Sequence, residues 1–251
     1  HIQPAGRRRR LQRREIQLSL LRFRRRSRLR ETRSKNRKSV LIYLALFQTL
    51  VPAALLAWLG MFPMRRRWSY MVQMLCVGLV LAAFTLVGLW MLPPWWVPYL
   101  FFAVFFLIVA NQRLRPFFRL GEQSESWISL GALGSAASFA AYATYLGIAG
   151  LSGRSPAGQT VVNITMPLAQ GTYLIAQGGS NQTVNEHYTT LDETVPRYAA
   201  WRGQSKGLDI IRIDRFGLRA SALLLENPAE YYTFDAPVLS PCEGPVIEAL
   251  D

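Results

Sequence analysis

"SYMVQMLCVGLVLAAFTLVGLWML", residues 69–92, decides how the first half of the chain folds, because it runs without a single charged side chain. An α-helix rises about 1.5 Å per residue and the hydrocarbon layer of a bilayer is about 30 Å thick, so roughly 20 apolar residues make one crossing. In lipid the backbone must satisfy its own polar groups, which a helix does. The stretch therefore predicts a transmembrane helix. Three neighbours read the same way: "SVLIYLALFQTLVPAALLAWLGMF" (39–62), with a kink expected at Pro52; "WWVPYLFFAVFFLIVA" (95–110), which is shorter; and "WISLGALGSAASFAAYATYLGIAGL" (127–151). The Gly, Ala and Ser of the last let helices approach closely. "PPWW" (93–96) ends one span and places aromatics at an interface. The expected architecture of residues 39–151 is an α-helical transmembrane bundle of about four spans, the third being the weakest. Transport and proton relay usually place ionisable groups at membrane depth. These spans carry none, so the bundle reads as an anchor rather than a transporter or channel.

The net charge of +14 belongs to one end of the chain. Residues 1–38 hold sixteen Lys and Arg against Glu15 and Glu31, and the remainder is neutral. Such a basic, disordered tail either solvates itself or lies on anionic lipid, at roughly 1 kcal/mol per basic residue near the surface. A nucleic-acid partner is not expected, because no nucleic-acid-binding motif accompanies the arginines. The chain opens on His1, which reads as a fragment. Cys76 lies in an apolar run and Cys242 far from it, so neither a disulfide framework nor metal-site spacing is present.

Orientation is contested by these charges. Short loops weigh most in the positive-inside rule. Arg65, Arg66 and Arg67 follow the first span, and Arg113, Arg115 and Arg119 follow the third. They place those loops in the cytoplasm and residues 152–251 outside. The basic tail argues the opposite, since four spans leave both termini on one side. The reading adopted is an integral protein of the inner (cytoplasmic) membrane with an extracytoplasmic C-terminal domain.

From Ser152 the composition changes. "SGRSPAGQ" reads as a linker, within a linker-and-first-strand segment 152–169. Short β-type runs follow at 160–168, 171–179, 208–214, 220–226, 231–241 and 244–251. Their Val, Ile, Tyr and Thr content between turn residues predicts an all-β domain over 170–251. The last run ends without a partner strand, which predicts a domain incomplete at its C-terminus.

Three blocks of that domain carry a family likeness: "GTYLIAQGGSNQTVNEH" (171–187), "QSKGLDIIRIDRFGLRA" (204–220) and "FDAPVLSPCEGPVIEALD" (234–251). Together they resemble the lysostaphin/LytM-like zinc endopeptidases, many of which cut peptide cross-links in bacterial peptidoglycan. The likeness covers about a third of the chain. Ala236, Pro237, Pro241, Gly244 and Val246 sit in a pattern closely similar to that family's "APxxGxV" hairpin. The resemblance implies a membrane-anchored zinc metallopeptidase, a hydrolase of cell-wall peptide. It implies zinc as cofactor, with Asp209 of "GLD" as a metal ligand. The family's first motif, H-x-x-x-D, would put a histidine at 205, where this chain has Ser205. His187 in "NEH" is then the histidine that stands in as the second metal ligand. The third ligand would come from an H-x-H motif, which is not present in this sequence: its two histidines are His1 and His187. These 251 residues alone are therefore expected to be inactive, with no complete set of catalytic residues.

Two alternatives remain at this point. A degenerate, non-catalytic relative would bind cell wall or regulate a partner hydrolase. The "APVLSPCEGPVIEAL" stretch also looks like a biotinyl or lipoyl carrier hairpin, for which Lys206 would be the nearest modifiable lysine.

Overall fold

The computed structural model describes residues 42–114, 124–155, 163–222 and 227–245. The basic tail, the linker at 156–162, the end of the 220–226 run and most of the 244–251 run lie outside them. From Gln48 onward the chain forms one compact unit.

Helices α1 (Ile42–Met61), α2 (Arg67–Val87) and α4 (Trp127–Gly153) are long and apolar enough to cross a membrane. Between them runs α3 (Val97–Leu114), whose apolar part is shorter. The expected spans 39–62, 69–92, 95–110 and 127–151 thus appear as four helices. The second ends five residues early, at Val87, because residues 88–92 turn back. There Trp90 donates its indole N–H to Phe84 O at 2.9 Å. The helix α1 is continuous through Pro52.

Apolar residues surround these helices rather than forming one stripe, the pattern of a helix that meets lipid outside and protein inside. Leu75, Phe106, Leu107 and Ile148 face outward. Leu56, Leu59, Tyr70, Val77 and Leu81 form one buried cluster, against which Phe101, Phe105 and Ile108 of α3 pack. Cys76, Val80, Ala83, Ala140 and Ala143 form a second, along the seam of α2 and α4. Small residues make that seam close: a methyl group on Gly147 would sit 3.5 Å from Ala83 Cα.

Three buried glutamines set the register of the helices, a feature that hydropathy does not expose. Gln48 on α1 donates to Leu89 O at 3.1 Å and Leu92 O at 2.8 Å, and accepts from Leu89 N at 3.1 Å. Gln73 on α2 accepts from Met64 N at 3.0 Å and donates to Phe62 O at 3.2 Å. Gln112 on α3 donates to Leu59 O at 2.7 Å and is hydrogen-bonded to the Tyr70 hydroxyl. Most of these partners are backbone groups at helix ends or in the turns between helices, which have no intrahelical mate. Left unpaired in a membrane, each would cost several kcal/mol.

These contacts also sort the helix ends. Residues 59–73, Gln112 and Glu125, which accepts from Arg66 N at 2.8 Å, gather at one end of the bundle. Gln48, residues 86–92 and Arg154, which donates to Leu86 O at 2.7 Å, gather at the other. The helices therefore alternate in direction. The polar segment 163–245 sits on the second end, opposite the Arg65–Arg67 loop.

The all-β expectation needs correction. The described residues between 163 and 245 contain one two-stranded antiparallel sheet, β1 (Tyr173–Gln177) with β2 (Asp209–Arg212). Its register pairs Tyr173 with Arg212, Leu174 with Ile211, Ile175 with Ile210 and Gln177 with Asp209. Two isolated bridges, Leu168 to Val238 and Ala220 to Tyr231, are what the other described runs contribute. The remainder includes 3₁₀ helices at Glu186–Leu191, Pro196–Gln204 and Pro228–Glu230.

Local chemistry explains why the runs stop short. The 171–179 run ends at Gly178–Gly179, the latter at φ +136°. The 208–214 run ends where the Asp214 carboxylate accepts from Phe216 N and Leu218 N, both at 2.8 Å, folding the chain into a turn. The 231–241 run is broken by Pro237 and Pro241, which cannot donate to a ladder, and by Asp235 at φ 57°. Asn227 caps the 3₁₀ helix that follows the 220–226 run, its side chain accepting from Ala229 N at 3.0 Å.

Candidate metal centre

The tripeptide Asn185–Glu186–His187 begins the first 3₁₀ helix. Asn185 is its N-cap, and its side-chain oxygen accepts from His187 N at 3.1 Å. Thr189 and Thr190 tie the same turn down, donating their hydroxyls to Glu186 O and His187 O at 2.7 Å. Asp209 is the first residue of β2. Its strand partner Gln177 also grips the histidine's helix: Gln177 accepts from Glu186 N at 3.2 Å. The end of β1 thus holds both sides of the site.

The outcome is a direct pairing. His187 Nε2 lies 3.1 Å from Asp209 Oδ1, with the side chains 29% and 50% exposed. Twenty-two positions separate them in sequence. The two residues that the sequence singled out as metal ligands are brought together, in a partly open place that solvent reaches.

Asn185 is the keystone of this arrangement. It is 1% exposed. Besides capping His187 it donates to Gly179 O at 3.1 Å and to Gly207 O at 3.2 Å. One buried amide therefore joins the turn after β1, the helix of His187 and the approach to Asp209. Gly207 is needed for room: a Cβ there would stand 3.0 Å from Gln204 O and 3.4 Å from the His187 ring.

The donor chemistry fits a zinc site in part. An imidazole nitrogen and a carboxylate oxygen are both zinc ligands, and two bonds of about 2.0–2.1 Å at a tetrahedral angle put ligand atoms about 3.3 Å apart. The 3.1 Å separation is close to that edge. Among the described residues no group of three or more His, Cys, Asp and Glu gathers. Ser205 is buried and closes the second 3₁₀ helix, donating its N–H to Arg202 O at 3.2 Å. Lys206 lies in the turn that enters β2.

Other singled-out residues take structural places. Gly178 and Gly179 form the turn after β1, and Asp214 organises a turn of its own. Tyr231 bridges to Ala220, with the Arg219 guanidinium 5.6 Å from the centre of its ring. Asp192 follows the His187 helix and accepts from the Thr194 hydroxyl at 2.6 Å and Thr194 N at 2.9 Å. Those two bonds, the hydroxyl first, hold its carboxyl below the usual range. Reasoning from the sequence gives Asn185 either a hydrogen bond to His187 or its loop or a turn role, and passes over Gln177. The signal for Asn185 was present in the N-x-H spacing, since an Asn just before a helix commonly accepts from the N–H of its second residue.

No family model matches the chain, and neither a curated protein nor a solved structure matches it at a significant level.

Proposed function

We propose that this chain is part of a membrane-anchored zinc metalloendopeptidase that cuts peptide cross-links of peptidoglycan, with its polar segment outside the cytoplasmic membrane and its third metal ligand supplied from beyond these 251 residues. The observation that carries the reading is the 3.1 Å approach of His187 Nε2 to Asp209 Oδ1. These residues would hold the metal, and the resemblance calls for a third ligand from an H-x-H motif. A bound zinc supplies a polarised carbonyl and an acidified water. The chain's own part is orientation. Asn185 fixes the histidine's backbone and, through Gly207, the approach to the aspartate. Gly207 leaves space for the ring. The bundle tethers the site. Sidedness follows from the arginines: the Arg65–Arg67 loop lies at the opposite end of the bundle from the polar segment, and positive loops stay inside.

A second reading has a specific observation behind it. Ser205 stands where the first motif would carry histidine, and it is buried in a helix end. A degenerate, cell-wall-binding domain would look like this. Metal content separates the two. The purified full-length protein is expected to hold one zinc per chain by elemental analysis, lost in His187→Ala and in Asp209→Ala. A protein that stays zinc-free after incubation with the metal belongs to the second reading.

A further inference from the structure

The polar segment is joined to the bundle by more than its linker. Ser180 donates its N–H to Gly153 O at 2.6 Å and its hydroxyl to Ser155 O at 2.8 Å. Asn181 donates to Ala149 O at 2.7 Å, beside the Ser152 hydroxyl, so residues 180–181 cap carbonyls at the end of α4. Val184 lies along the same helix end: a Cβ on Gly150 would meet its methyl at 3.6 Å. Gly179 approaches so closely that a Cβ would lie 2.6 Å from Gly153 O. A second attachment stands apart from the first. Trp96 in the "PPWW" turn donates its indole N–H to Phe216 O at 2.7 Å, and Gly217 leaves room for Trp95.

Each attachment leads directly to one half of the metal pair. Seven positions separate Ser180 from His187, and seven separate Phe216 from Asp209. Even fully extended, seven residues reach only about 25 Å. The path to His187 is shorter still, because Asn185 N bonds back to Asn181 O at 3.0 Å in a helical turn.

We propose that the His187–Asp209 site works at a fixed, short height above the bilayer, and that its substrate is peptide carried on a membrane-anchored, lipid-linked glycan. This rests on the endopeptidase reading above. A site mounted on two rigid contacts cannot sweep outward as it would on a flexible linker. A substrate confined to the same membrane layer meets it at a high effective concentration. Peptide remote from the membrane lies beyond its reach.

The test uses the full-length protein in lipid vesicles and has two readouts. A fluorophore is placed on Leu191→Cys, in a Cys76→Ala/Cys242→Ser background, with acceptor dye on the lipid headgroups. Energy transfer should report a height below about 40 Å, the reach of eleven extended residues. It should fall when Asn181→Ala and Trp96→Phe are combined. Cleavage is then compared for a lipid-linked peptidoglycan peptide in the same vesicles and the same peptide without its lipid. The lipid-linked form should be cut at least tenfold faster, and the combined variant should lose that preference while keeping its rate on the free peptide. A height unchanged by the variant, or equal rates on the two peptides, overturns the proposal. Zinc-loaded protein that cuts neither peptide overturns the endopeptidase reading and this substrate with it, whereas equal rates on the two peptides in the unsubstituted protein overturn only the proposal made here.

Discussion

The bundle buries Leu59, Val77, Val80 and Leu81 in continuous apolar clusters, whereas the described residues 163–245 bury Asn185 and Ser205 and, among apolar side chains, Ala220. Ile175, Leu208, Phe216, Phe234 and Val238 stay exposed in that segment. The bundle is thus held by many weak contacts, with three glutamines choosing among alternative alignments. The polar segment is held by a short set of hydrogen bonds, several of which pass through one amide. Contacts spread over many residues make each one dispensable. Bonds concentrated in one side chain make it indispensable. Substitutions in the two regions should therefore have unlike effects, and neither region should report damage in the other.

Under the proposed metal centre, the largest effect belongs to the His187–Asp209 pair. His187→Ala and Asp209→Ala should each weaken zinc binding by roughly 100-fold or more, since loss of mere supporting groups already costs about 10–100-fold. The helical thermal transition of the bundle should be unmoved, as read by circular dichroism in detergent. A coincident fall in helix stability would break the separation drawn above.

Next comes Asn185→Ala. It removes three hydrogen bonds and strands Gly179 O and Gly207 O in a buried place. The cost should be about 2–4 kcal/mol, confined to the polar segment. Amide hydrogen exchange there should accelerate while the helices stay protected. Zinc affinity should fall by about 10–100-fold, because the groups that aim ligands matter nearly as much as the ligands.

Smaller is Gln73→Leu, which leaves Met64 N and Phe62 O without their partner. Interhelical hydrogen bonds of this kind contribute about 0.6 kcal/mol on average and about 1.7 at most. Denaturant titration in mixed micelles should show a loss in that range, with zinc content unchanged.

The smallest concerns Asp192. Its carboxyl is held below the ordinary range by the Thr194 hydroxyl and N–H, so the folded form carries the lower pKa. Its contribution is then fully present above the unfolded value of about 3.9 and fades as pH falls through the folded one. Exchange of the Thr194 amide should quicken only below the ordinary aspartate range. In Asp192→Asn that pH dependence should vanish, and the bundle should not respond.

The two regions also differed in how far the sequence could be read. The spans at 69–92 and 127–151 correspond to Arg67–Val87 and Trp127–Gly153, and the weakest span corresponds to the shorter apolar helix α3. Length and hydropathy are summed over twenty residues, so no single neighbour upsets them. The β runs were each seven to eleven residues long, and one glycine, proline or capping aspartate was enough to end them. Sequence reasoning also missed Gln48, Gln73 and Gln112. One glutamine in a span barely changes its hydropathy, yet its partners lie on other helices.

The sequence by itself determined that the first half of the chain would form helices long and apolar enough to cross a membrane, because length and hydropathy are read directly from it. It also nominated His187 and Asp209, through the resemblance of the blocks around them to a zinc-endopeptidase family. Only the tertiary structure decided that they meet at 3.1 Å. No spacing rule joins positions 22 apart. Pairing of Gln177 with Asp209 across β1 and β2, and the buried amide of Asn185 between Gly179, His187 and Gly207, bring them together.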